Sequence, residues 1–210
     1  MSETETIGAT PARPGDAGKR PSGRLRRAMR SALWVLVVLA VAGGGFLGIE
    51  QLIGNFHTVV AGELYRSAQI SADQLADAKA RYGIRTVINL RGPSTRDWYV
   101  DEVRESERLG LNHVDFKLSA EQELTPGQVE ELVAVMREAP KPILVHCKGG
   151  ADRTGLASAL YVAAIARQSE AAAEWQLSPY YGHFSIPLFP SWAMDQSFER
   201  AEPWLGFKGS

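Results

Sequence analysis

At 210 residues, 45% apolar and 22% charged, the chain has the length and balance of one globular domain with a proper core. Its net charge of −1 hides an asymmetry, +4 over residues 1–49 and −5 over the rest, and the mildly acidic body excludes a nucleic-acid footprint. One cysteine excludes an internal disulfide and makes Cys147 a candidate nucleophile.

Residues 1–30 are rich in Pro, Gly, Thr and Arg without apolar periodicity and read as a disordered basic arm. Residues 31–49, SALWVLVVLAVAGGGFLGI, run for 19 positions without a charge. As a helix they would span ~28 Å at ~1.5 Å per residue, close to the ~30 Å of bilayer hydrocarbon. Gly43, Gly44 and Gly45 weaken a soluble helix but suit a membrane one. A buried soluble helix is the first rival, though core helices rarely lack a polar face. A cleaved signal peptide is the second, since Ala40-Val41-Ala42 has the small-residue cleavage pattern. The long preceding arm and the continuation of the run favour an uncleaved transmembrane anchor. Arg24, Arg26, Arg27 and Arg30 crowd its N-terminal side. Positive charge stays cytoplasmic, so residues 50–210 are expected outside the cytoplasm, on the outer face of a bacterial inner membrane.

From Asn55 onward strand-like and helix-like stretches alternate. Val59-Val60 and Leu64-Tyr65-Arg66 read as short strands about a Gly62-Glu63 turn. Ser71 opens a helix with a capping box to Gln74, and Gly83 ends it. Thr86 to Arg91 is a strand, Asp97 to Leu109 a helix stopped by Gly110, and His113 to Leu118 a strand. Thr125-Pro126 starts another helix, with Val129, Leu132, Val133 and Met136 on its apolar face. Pro142 to His146 reads as a buried central strand, and Arg153 to Arg167 as a helix. The remainder to Trp204 is mostly helical, broken near Pro187 to Pro190; Trp175, Tyr180, Tyr181, Trp192 and Trp204 are read there as core packing. The pattern predicts an α/β fold with a mostly parallel central sheet flanked by helices, and a C-terminal helical extension within residues 50–210. Ligands of such sheets bind beyond the carboxyl ends of the strands, where Cys147 falls.

The segment His146 to Gly155, HCKGGADRTG, joins a buried strand to a helix. Small residues Gly149, Gly150 and Ala151 let successive N–H groups turn inward as an anion nest. The helix adds its positive end, and Arg153 a planar fork for two phosphate oxygens. Helix N-termini and nearby cations favour a thiolate, so Cys147 is placed to attack phosphorus and form a phosphocysteine. Thr154 can donate to the departing sulfur or simply occupies the first turn of the helix, and Lys148 raises the local positive potential or is a plain surface charge. His146 either only ends the strand or tunes the sulfur through a backbone hydrogen bond.

These residues resemble the protein tyrosine phosphatase superfamily, whose signature H-C-x-x-G-x-x-R-[S/T] is met by His146, Cys147, Gly150, Arg153 and Thr154. The D-R-T-G continuation is similar to the atypical dual-specificity and lipid-phosphatase branches. GELYRSAQ, residues 62–69, and TVINLR, residues 86–91, are similar to the opening of compact bacterial members. The resemblance implies Cys147 as nucleophile, Arg153 as phosphate binder and the amides of residues 148–154 as the cradle. It implies no cofactor and no metal, and a phosphorylated protein, lipid or glycan as partner. The family's Trp-Pro-Asp acid loop is missing, which leaves Asp152, Asp115, Glu121 and Glu123 as acids, with Asp152 and Asp115 ranked first; Asp152 also suits an ordinary helix cap. Asn89, Arg91 and Arg66 either buttress the loop or touch substrate. A rhodanese-like sulfurtransferase and a catalytically inactive phosphate-binding module are the alternatives; the Arg153-Thr154 pair disfavours the first and the intact Cys147 and Arg153 the second.

Overall fold

The structure, a computed structural model, describes residues 23–52 and 54–207. It divides into two compact units, meeting between Gly43 and Gly44. Helix α1 (Gly23–Leu52) runs through that boundary and contains the stretch Arg27–Gly45, 19 residues of mean hydropathy 1.7, long and apolar enough to cross a membrane. Its described apolar side chains, among them Trp34, Leu36 and Val41, are exposed. The helix begins at Gly23, so residues 23–30, read from sequence as arm, are helical here; residues 1–22 lie outside the described residues.

The second unit is built on a five-stranded sheet of order β1-β2-β5-β3-β4. β1 (His57–Val60) pairs antiparallel with β2 (Leu64–Ser67). The rest of the sheet is parallel: β5 (Ile143–His146) lies between β2 and β3 (Thr86–Asn89), and β4 (Asn112–Asp115) is the far edge. β5 is central and every residue in it is buried, as its unbroken apolar run demands. The connecting helices are α2 (Ala72–Tyr82), α3 (Asp97–Leu109), α4 (Pro126–Glu138) and α5 (Asp152–Ala164), followed by α6 (Glu170–Glu174), a 3-10 turn at Pro179–Tyr181, and α7 (Trp192–Leu205). The fold class read from sequence, α/β with a mostly parallel sheet between helices, is the one observed.

Local chemistry sets the ends of these elements. Ser71 and Thr125 each close a capping box, with Gln74 and Gln128. Gly83 and Gly110 end their helices at φ of 70° and 64°, where a Cβ is penalised. Two strands stop earlier than the alternation suggests. The Asn89 carboxamide accepts from the Arg91 amide at 2.9 Å and turns the chain, so β3 ends at Asn89. Asp115 ends β4 instead of lying inside a strand running to Leu118.

Register aligns Ser67, His146, Asn89 and Asp115 in one row at the carboxyl ends of β2, β5, β3 and β4. α5 is buried along nearly its whole length, so it forms the spine of the domain and presents its N-terminus at that edge.

Candidate active site

Cys147 follows β5 directly and is 3% exposed. The next residues turn back over it and enter α5. The Gly150 amide donates to Cys147 Sγ at 3.3 Å. Four successive carbonyls of the turn are held from outside. Lys148 O accepts from the Gln69 amide at 3.2 Å, Gly149 O from Asn55 Nδ2 at 3.0 Å, and Gly150 O and Ala151 O from Arg66 Nη2 at 2.8 and 3.3 Å. In a planar trans peptide the N–H of the following residue points away from that carbonyl. Pinning these oxygens outward therefore turns the amides of Gly149, Gly150, Ala151 and Asp152 inward, and the Gly150 contact with sulfur is the direct instance. The α5 amides beyond them have no intrahelical acceptor in the first turn.

Gly150 has φ of 72°, and a Cβ there would meet Ala68 N at 2.7 Å and Ser67 C at 2.8 Å. Gly155, the last residue of D-R-T-G, packs on the Gln176 carbonyl, which a Cβ would approach to 2.9 Å.

Arg66 is fully buried behind the loop. Its Nη1 donates to Gln176 O at 2.8 Å and Gln176 Oε1 at 3.0 Å, and its guanidinium lies 3.8 Å from the Tyr181 ring centroid. Burial lowers its pKa to about 10, while Tyr181 and Cys147 hold the cation in place. Arg153 is half-buried; Nη1 rests on the Leu118 and Leu90 carbonyls at 3.2 and 3.4 Å, leaving Nη2 and Nε without a hydrogen bond among the described residues. Thr154 Oγ1 is buried and has no partner among the described residues, whereas Lys148 is exposed. The site thus offers inward amides, a free guanidinium edge and a sulfur at the floor, which is a receptacle for a tetrahedral oxyanion.

Residues 52–183 match the family model described as "DSP-PTPase phosphatase fused to NAD+ Kinase". The chain belongs to this family. It is a phosphatase of the dual-specificity type, a phosphoric monoester hydrolase in the protein tyrosine phosphatase superfamily. No curated protein matches the chain. Solved structures share its fold: TpbA of P. aeruginosa (23% identity over 69% of this chain and 89% of that one, TM-score 0.51), the core catalytic domain of SIW14 from S. cerevisiae (16%, 72% and 93%, 0.54) and PTPMT1 (14%, 72% and 98%, 0.55).

The acid candidates of this phosphatase fall into different settings. Asp115 has both oxygens engaged, Oδ1 by Asn89 Nδ2 at 2.7 Å and Oδ2 by the Tyr99 hydroxyl at 2.5 Å; that hydrogen bond, with burial, raises Tyr99 to about 12. Glu123 pairs with Arg200 at 2.5 Å, toward α7. Glu121 is exposed, three residues beyond the Leu118 carbonyl that supports Arg153. Asp152 does not cap α5: the N-cap is Ala151, and Asp152 Oδ1 accepts from His183 Nδ1 at 2.8 Å. His183 Nε2 donates in turn to Asp195 at 2.9 Å. Burial opposes the His183 charge, but the two carboxylates outweigh it and raise its pKa to about 9. Asp152 Oδ2 has no hydrogen bond among the described residues.

Further residues surround the loop, two of them unmarked by the sequence. Asn55, buried at φ of 46°, donates to both Gly149 O and Tyr181 O. Glu102 is buried on α3, where burial pushes its carboxyl up but hydrogen bonds to His113, His146 and Gln69 bring it to about 2. It ties Gln69 Nε2 at 2.5 Å to His146 Nε2 at 3.2 Å, and His146 Nδ1 lies 3.4 Å from Cys147 O. Arg91, stacked 3.4 Å from the Trp98 ring centroid, donates to Gln69 Oε1 at 2.6 Å. Burial and the nearby Arg153 cation lower its pKa. Asn55 and Glu102 carry no sequence signal, whereas Gln69 ends GELYRSAQ and Arg91 ends TVINLR. The aromatic residues of the C-terminal part are a correction: Tyr181 is buried, but Trp175, Tyr180 and Trp204 are exposed and Trp192 is half-buried. Composition alone cannot tell a core aromatic from a surface one.

Proposed function

We propose that this phosphatase is anchored by α1 and hydrolyses phosphomonoesters of membrane-associated substrates through a phosphocysteine. The observation that carries the mechanism is the Gly150 amide aimed at Cys147 Sγ within a turn whose carbonyls all face away. Cys147 Sγ attacks phosphorus, the bond from phosphorus to the leaving oxygen breaks, and that oxygen takes a proton from Asp152. Water then attacks phosphorus and gives a proton back to Asp152, the S–P bond breaks, and phosphate leaves. Arg153 Nη2 and Nε grip the equatorial oxygens with the turn amides, and the Thr154 hydroxyl donates to the departing sulfur. Asp152 is preferred to Asp115 because one of its oxygens is unbonded while both of Asp115 are taken. The fold's neighbours act on or hold varied phosphate esters: SIW14 is a PP-IP phosphatase and one TpbA structure holds phosphotyrosine. For this chain the apolar helix favours a substrate at the bilayer, a lipid or glycan head group before a phosphoprotein.

The full chain is expected to hydrolyse p-nitrophenyl phosphate equally well in EDTA, and Cys147→Ser to abolish turnover; retained turnover in that variant rejects the mechanism. Asp152→Asn should slow a phenyl phosphate about 10²-fold or more, while sparing p-nitrophenyl phosphate, whose leaving group needs little protonation. Equal effects on both esters remove Asp152 from the acid role.

A further inference from the structure

The segment after His183 has no place in the mechanism above. Phe184, Ile186, Leu188 and Phe189 are 38%, 39%, 91% and 48% exposed. Upstream, Trp175 and Tyr180, also exposed, stack with ring centroids 6.0 Å apart. Residues 175–194 contain no Asp, Glu, Lys or Arg, although the chain as a whole is 22% charged. An apolar patch of this kind marks a partner or a membrane. The core of a protein interface shares the aromatic enrichment but takes Arg and a polar rim with it; an exposed run of Trp, Tyr, Phe and Leu without Asp, Glu, Lys or Arg has the composition of a bilayer interface.

Part of the segment's backbone is also suited to lipid, where an unsatisfied amide is costly. Pro187 and Pro190 have no N–H. The Ile186, Phe189 and Trp192 amides close turns on the carbonyls of Phe184, Ile186 and Phe189 at 2.8, 2.9 and 3.0 Å.

Its roots lie at the active site. His183, the residue before Phe184, is bonded to Asp152. Asn55, just before β1, donates to both Tyr181 O and Gly149 O. Asn55, the root of the apolar segment and the Cys147 loop therefore meet at one place.

We propose that the Phe184–Pro190 segment seats in the membrane interface and turns the Cys147 loop toward the bilayer, which makes lipid phosphomonoesters the substrate class. This rests on the reading of α1 as an anchor and of the Cys147 loop as a phosphatase site. The segment acts as a second, shallow attachment that orients what the anchor only tethers.

The test uses the full chain in phosphatidylcholine vesicles. An environment-sensitive fluorophore is placed through Leu188→Cys in a Cys147→Ser background, with Arg104→Cys on exposed α3 as the reference. The label at 188 should be quenched at least about twofold by lipids carrying a shallow spin label, and that at 104 should not. A label at 188 that stays in water overturns the proposal. So does one that is shielded only in native membranes, which assigns the face to a protein. In the second arm the Leu188→Asp, Phe189→Asp double variant should cleave soluble p-nitrophenyl phosphate like the wild type, but long-chain phosphatidic acid in vesicles at least about tenfold more slowly. Equal loss on both substrates, or no wild-type turnover of phosphatidic acid, overturns it. Wild-type inactivity toward p-nitrophenyl phosphate sinks the phosphatase reading instead, and release of the chain by alkaline carbonate sinks the anchor.

Discussion

Arg66→Met keeps the bulk of the stem and deletes the fork that holds the Cys147 loop. The hydrogen bonds to Gly150 O and Gln176 O are 2.8 Å each. A charged donor contributes about 1.5–3 kcal/mol per bond, so about 3–6 kcal/mol of interaction is removed. Against this stands relief of a buried cation with no carboxylate at ion-pair distance among the described residues; burial has already brought Arg66 down to about 10. Desolvating such a charge costs several kcal/mol, so the two effects largely offset and the net loss of stability is about 1–3 kcal/mol. Activity has no such compensation. With Gly150 O and Ala151 O released, the amides behind them are free to rotate, and a misplacement of ~1 Å costs about 10²-fold. kcat/KM on p-nitrophenyl phosphate is therefore expected to fall at least about 100-fold, with Arg66→Lys intermediate because an ammonium cannot fork. Denaturant titration and steady-state kinetics on the same preparation separate the two effects. A variant that loses stability but keeps kcat/KM within about threefold, against the 10²-fold expected of a displaced loop, refutes the pinning argument.

Gly150→Ala should cost about 2–5 kcal/mol, the sum of a left-handed backbone penalty and a backbone collision at 2.7 Å, read as a lower urea midpoint together with inactivity. Stability should also depend on pH on both sides of a plateau. Glu102 is depressed from 4.5 to about 2, so its contribution, about 3 kcal/mol at most, is present above pH 4.5 and lost as pH falls toward 2. His183 is raised from 6.5 to about 9, so its contribution is full below pH 6.5 and lost as pH rises toward 9. Glu102→Gln should flatten the acid limb of a Tm-against-pH curve and His183→Gln the alkaline limb; unchanged limbs count against these networks.

What the sequence revealed was what is local. The cysteine, arginine, threonine and glycines of HCKGGADRTG lie within ten residues of one another, and each residue type suggests its chemistry. Capping boxes at Ser71 and Thr125 and the left-handed Gly83 and Gly110 are equally local. What holds the loop in shape is not local. Arg66 reaches Gly150 across 84 residues, Asn55 reaches Gly149 across 94, and His146 finds Glu102 across 44. No periodicity records such meetings; only the strand order β2-β5-β3 brings them about. Asp152 reads from sequence as a helix cap for the same reason, since its partner His183 lies 31 residues away.

The loop's peptides lie between a cation and a sulfur, with carbonyl oxygens toward Arg66 and N–H groups toward Cys147. Arg66 and Cys147 interact electrostatically through that layer, and the sulfur helps keep the Arg66 cation charged. A carboxylate beside Arg66 would hold the fork as well and cancel its field. The position is occupied by a neutral amide, Gln176, whose Oε1 already accepts from Nη1 at 3.0 Å. Gln176→Glu is close to isosteric and keeps an acceptor there, so the loop should stay in place and Tm should hold or rise. The field at sulfur should drop by about one charge, which across a loop at an effective dielectric of ~20 is on the order of 1–2 kcal/mol, or about tenfold in kcat/KM. The expected signature is an unchanged or higher Tm with a slower enzyme. Unaltered kinetics in a folded Gln176→Glu protein show that Arg66 acts on the loop by hydrogen bonding alone.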